Sequence, residues 1–120
     1  MTRRDLTAGS QSVQSTHAAI QFIFEHPEIS EFWFKDPYLA QLSVENEDAL
    51  KHLIHKLQKA NIKYSIFREP DLGNEITAIA IEPSDKTRKL ISHLPLMLKE
   101  YNVVNKINKH SYKEKEDSYV

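Results

Sequence analysis

Two short segments of the chain carry side chains able to perform chemistry. The first is Gln14-Ser15-Thr16-His17-Ala18-Ala19, preceded by Gly9-Ser10. Small and polar residues open a helix here, and a helix start presents unpaired backbone N–H groups that suit a phosphate or a developing oxyanion. The same residues have a plain structural use, in which Ser12 caps the helix, the alanines allow close packing and His17 is a hydrogen-bonded imidazole. The second segment is Arg68-Glu69-Pro70-Asp71-Leu72-Gly73-Asn74-Glu75. Its carboxylates and arginine flank a rigid turn at a strand end, where ligands of open α/β sheets tend to sit. Carboxylates crowded together can have raised pKa values and transfer protons. The alternative is a solvated hairpin, with Pro70 fixing φ, Gly73 supplying a positive φ and the acids facing water.

Other chemistries find little support. His52 and His55 are three residues apart on one helix, but both fall towards its polar side, and no acid or third histidine stands at a metal-ligand spacing. There is no Gly-x-Ser-x-Gly elbow for a serine nucleophile. A glycine-rich phosphate loop is excluded because the chain has only Gly9 and Gly73. The absence of cysteine excludes disulfides and thiolate metal sites. No apolar run approaches the roughly 20 residues that span a bilayer, and no apolar stretch follows Met1-Thr2-Arg3-Arg4-Asp5 as a signal peptide requires. The expectation is a cytoplasmic protein. Lys+Arg 16 against Asp+Glu 17 gives a net charge of -1, which disfavours a large nucleic-acid footprint and leaves room for a local basic patch.

These segments need elements to hold them. A helix is predicted from about Ser12 to Glu25, ended by Pro27. Glu28 to Asp36 reads as a short helical turn or loop pinned by Phe32, Trp33 and Phe34, whose rings suit core packing or an interface. Tyr38 to Val44 alternates as a strand does. The clearest helix runs from about Glu47 to Ala60, with Ala49, Leu50, Leu53, Ile54 and Leu57 at helical period, acids at its start and lysines near its end. Asn61 suits a left-handed cap. Ile62 to Arg68 and Glu75 to Glu82 read as strands, the second apolar on both faces and so interior. Ser84 caps a last helix through Leu94. From Lys99 the chain is polar, mixed in charge and expected to be a mobile tail. The fold class is therefore a single α/β domain over residues 1–98, followed by a tail over 99–120. Its four-stranded mixed sheet carries helices on both faces, with Met1 to Arg4 as a truncated first strand.

Taken together, Arg4-Asp5-Leu6, Gly9, Gln14, His17-Ala18-Ala19, the acidic loop and Ser92-His93-Leu94-Pro95-Leu96 resemble the archaeal and eukaryotic (type II) peptidyl-tRNA hydrolase family. That family has an Arg-x-Asp-Leu turn, a Gly-Lys step opening a helix that reads Ala-Gln-Cys-x-His-Ala, and the same later element order. The resemblance covers roughly Thr2 to Leu98. Gln14 and His17 match the family pattern. Ser10 replaces its lysine, and Glu69-Pro70-Asp71-Leu72-Gly73 replaces its Asp-Ala-Gly-Arg-Thr loop, leaving the threonine without a counterpart. Relatives also carry about half a dozen apolar residues before the first motif, so a start further upstream is expected.

The resemblance implies cofactor-independent cleavage of the ester joining a peptide to the 3′ ribose of tRNA, or of a related aminoacyl-RNA. Glu69 or Asp71 would then orient or deprotonate the water. The first helix, with Gln14 and His17, would stabilise the oxyanion. Arg4 and Arg68, with Asn74 beside them, would hold the terminal phosphate. Family members often form homodimers. The competing expectation is an inactive module of the same fold that binds a protein partner or RNA.

Overall fold

The expected order of elements is present in the computed structural model, which describes residues 1–99. It begins with β1 (Thr2–Arg3), α1 (Ala8–Glu25), α2 (Pro27–Phe34) and β2 (Ser43–Val44). It continues with α3 (Glu47–Lys59), β3 (Tyr64–Glu69), β4 (Glu75–Ile81) and α4 (Asp85–Ile91). The strands form one mixed sheet in the order β2-β1-β4-β3. β1 lies parallel to β2 and antiparallel to β4, and β3 pairs antiparallel with β4. The expected tail from residue 100 onward lies outside the described residues.

The two faces of the sheet are built from different chemistry. On one face, the stripe Leu50, Leu53, Ile54 and Leu57 of α3 packs with Val44, Ile62, Ile76 and Ile79 as the aliphatic core. Leu90 and Ile91 of α4 and Leu94 beyond it close that core. α3 is capped by Asn46, whose side chain accepts from Ala49 N, and the positive φ of Asn61 (58°) turns the chain back into β3. The other face is covered by α1, which packs on β3 and β4. Its buried residues are Gln11, Gln14, Ser15, Ala18 and Phe22, so this interface is small and polar as well as apolar.

A bulge in β4 reconciles the faces. Phe67 pairs with Ala78 and Arg68 with Ile76, which leaves Thr77 as an extra residue between them. Without it, Ile76 and Ile79 would point to opposite faces, because side chains alternate along a regular strand. With it, both enter the aliphatic core and Thr77 turns towards α1.

Several boundaries differ from the sequence reading. α1 begins four residues earlier than expected, and Thr7, rather than Ser12, caps it by accepting from Ser10 N at 3.2 Å. The expected strand over Tyr38 to Val44 shrinks to Ser43–Val44, while Tyr38 and Leu39 are exposed. Alternation alone cannot make a strand where no neighbour offers a ladder. Leu42 instead forms a bridge with Leu96, and Ser43 N donates to Pro95 O at 3.0 Å, so the chain after α4 covers this edge. Core packing of the aromatic segment is also corrected, because Phe32 (76% exposed) and Phe34 lie at the surface. α2 touches little beyond α1, so it offers no core for those rings. β3 starts at Tyr64 rather than Ile62, and α4 ends at Ile91, three residues before Leu94.

Candidate active site

Glu69 ends β3, and its side chain shares the α1 face with Phe67 two residues earlier. Pro70–Leu72 then form a single 3₁₀ turn, closed by Gly73 and Asn74, both at positive φ (62° and 61°). This turn folds back so that Asp71 N donates to Glu69 Oε1 at 3.3 Å. The other carboxylate oxygen, Oε2, accepts from Gln14 Nε2 at 2.9 Å. The acidic turn and α1 therefore meet at Glu69 and Gln14.

Gln14 is itself held. Thr77 Oγ1 donates to Gln14 Oε1 at 2.6 Å from a fully buried position in the bulge. An ionised carboxylate only accepts, so the amide must present its nitrogen to Glu69 and its oxygen to the threonine hydroxyl. One turn along α1, the His17 ring stacks on Phe67, with centroids 4.5 Å apart and planes 6° from parallel. Three elements thus converge on one cluster of Gln14, His17, Phe67, Glu69 and Thr77.

The electrostatics correct one expectation. Crowded acids were expected to raise a carboxyl pKa here, yet that of Glu69 is lowered. The hydrogen bond from Gln14 is the largest cause, followed by the backbone N–H of Asp71, against a small opposing desolvation, with His17 adding a weak attraction. The third acid of the segment, Glu75, is occupied elsewhere: its Oε1 accepts from Arg3 Nη1 at 2.8 Å.

The remaining expected residues are dispersed. Asp71 is exposed, and its contribution to the cluster is its backbone N–H. Arg68 donates from Nη1 to Asn74 O at 3.2 Å, so this pair braces the hairpin through the main chain of Asn74. Arg4 donates to Ser43 O and Oγ at 3.1 and 3.3 Å. It lies at the same end of the sheet as Glu69 but two strand spacings away, about 10 Å. The arginine that pairs with Asp5 is Arg3, through Nε–Oδ1 (2.9 Å) and Nη2–Oδ2 (2.8 Å). These bonds raise the Arg3 pKa and lower that of Asp5. α1 starts at Ala8, so Gln14 stands well inside the helix, about 9 Å beyond its first residue. α1 therefore delivers its donor to Glu69 through the Gln14 side chain.

Thr77, Phe67 and Arg3 were missed as contributors. Thr77 left a readable signal, since a hydroxyl inside a strand apolar on both faces must find a partner. Arg3 also left one, because the Arg-x-Asp-Leu spacing sets it two residues before Asp5, whereas the stacking of Phe67 depends on register.

The family model described as Peptidyl-tRNA hydrolase PTH2 matches residues 1–97. The chain belongs to this family. A comparison with curated proteins returns no match. Where other peptidyl-tRNA hydrolases of this type place lysine, Ser10 lies four residues before Gln14 on the same side of α1. Among the described residues, no three His, Asp or Glu side chains gather as a metal site requires. No helix there is long and apolar enough to cross a membrane.

Proposed function

We propose that the protein hydrolyses the ester of peptidyl-tRNA, or of a related aminoacyl-RNA, at the Gln14–Glu69 cluster. The observation that carries this reading is the 2.9 Å hydrogen bond joining the matched helix to the acidic turn. Water attacks the ester carbonyl carbon, and the bond from that carbon to the ribose 3′ oxygen breaks. The ribose leaves as the 3′ hydroxyl, the peptide as a carboxylate, and one proton passes to solvent. A carboxylate held below its ordinary range is a weak base near neutrality. Glu69 therefore serves mainly to orient the water and to balance the positive charge that grows on it during attack. The second amide N–H of Gln14 supplies a donor for the oxyanion. His17, on its Phe67 platform, exchanges the proton with the 3′ oxygen, and Arg4 and Arg68 attract the terminal phosphate. Thr77 positions the Gln14 amide and touches no reacting atom. No cofactor takes part.

The test is release of peptide from peptidyl-tRNA by the full chain. Turnover that falls at least about a hundredfold in Glu69→Ala supports the reading, whereas wild-type protein with no release above background sinks it. A second reading, a non-catalytic module of the same fold, draws on Ser10, which offers no cation where the family has one. Undiminished RNA or protein binding with no turnover in any form would favour it.

A further inference from the structure

The outward side of α1 is unusual for a helix that packs on a sheet. Such helices normally show water a polar, charged face. Here the sequence from Leu6 to Phe24 contains no Lys, Arg, Asp or Glu. Val13, His17, Ile20 and Phe24 recur at intervals of three and four residues, and all are exposed, with Phe24 at 81% and Val13 at 52%. The stripe begins at the candidate site. Val13 adjoins Gln14, and His17 is the residue stacked beside Glu69 on Phe67. From there it runs to Phe24, about 15 Å from Gln14 along the axis.

We infer that this stripe binds the peptide half of the substrate, as a lane for an extended, apolar acyl chain. The inference rests on the ester-hydrolase reading and assigns a direction within it. An ester of peptide and tRNA has one polyanionic half and one peptide half, and they leave the scissile bond on different sides. Between Leu6 and Phe24, α1 itself offers no Lys or Arg for phosphate. Arg68 neighbours Glu69 in β3 and by alternation points to the other face, and Arg4 lies across β4. The nucleic acid therefore takes the arginine side and the peptide takes the neutral helix. An extended chain advances about 3.3 Å per residue, so the lane accommodates four or five residues beyond the ester.

The experiment measures binding of non-hydrolysable amide-linked peptidyl-nucleosides to the full chain. Three acyl groups are compared: one alanine, an apolar pentapeptide and a Ser/Glu-rich pentapeptide. The apolar pentapeptide should bind about tenfold more tightly than the other two. Ile20→Glu and Phe24→Ser should remove that advantage while leaving affinity for the alanyl compound unchanged. Circular dichroism checks that these surface variants stay folded. Equal affinity for all three compounds, no binding of any, or an advantage that survives both variants would overturn the lane. A wild-type dimer in sedimentation that Phe24→Ser converts to monomer would assign the stripe to a second copy instead, and would also overturn it. Because binding is read without turnover, an acyl preference in a protein that releases no peptide would refute the hydrolysis and leave the lane standing.

Discussion

Glu69 accepts a hydrogen bond on each carboxylate oxygen, and the two donors come from a helix and from its own turn. Its depressed pKa has a definite sign. Its contribution to stability is present above the unfolded-state value, about 4.3, and is lost as pH falls through the lower folded value. Activity should follow the same group, with an acid limb below the ordinary glutamate range. Gln14→Leu removes the main cause of the depression, so the limb in a pH–rate profile should move to higher pH. Asp71→Ala should change turnover by less than about threefold, because its backbone N–H, which any residue retains, makes the contact. Ser10→Lys restores a cation one helical turn from Gln14. If that cation meets a substrate phosphate, kcat/KM should rise about tenfold or more. An unchanged value would show that Ser10 lies off the substrate path.

At the scale of elements, α1 and the β4 bulge act together. Thr77 reaches Gln14 because the bulge turns it out of strand alternation. Thr77→Val keeps the shape and removes the donor, leaving a buried amide oxygen unpaired. Stability should fall by about 1–3 kcal/mol in denaturant titration, and kcat should drop more than KM changes, whereas Thr77→Ser should retain most of both. The α1 interface could be anticipated only in part. Its small residues were legible at Ala18 and Ala19, but the early start under Thr7 was hidden, since Ser12 is an equally good cap by type. Gly9 is helical, and a Cβ added there meets nothing within 4 Å. Gly9→Ala should therefore raise stability by about 0.4–1 kcal/mol, measured as a higher denaturation midpoint.

For the whole molecule, near-neutral charge limits how the substrate is held. Only Arg4 and Arg68 are assigned to phosphate, so binding should depend weakly on salt. The logarithm of peptidyl-tRNA affinity should fall with that of salt concentration with a slope magnitude of about 1 to 2. A much steeper slope would reveal a broad RNA footprint that a net charge of -1 does not advertise. The sheet brings Arg4, Arg68, Glu69 and Thr77 to one end, because β1 and β3 both end where β4 begins. That arrangement follows from topology and not from any single motif.

The sequence by itself determined the order of elements, the aliphatic face of α3, the left-handed turns at Asn61 and Gly73, and the two segments that meet. These rest on local physics: helical period, turn residues and caps act over a few neighbours. Only the tertiary structure decided that Glu69 rather than Asp71 faces Gln14, that its carboxyl is depressed rather than raised, and that Arg3 also reaches Glu75. The bulge at Thr77 and the loss of a strand over Tyr38 to Leu42 belong to the same group. Each depends on which backbone groups lie opposite one another across the sheet, and a one-residue change of register reverses the face of every side chain that follows.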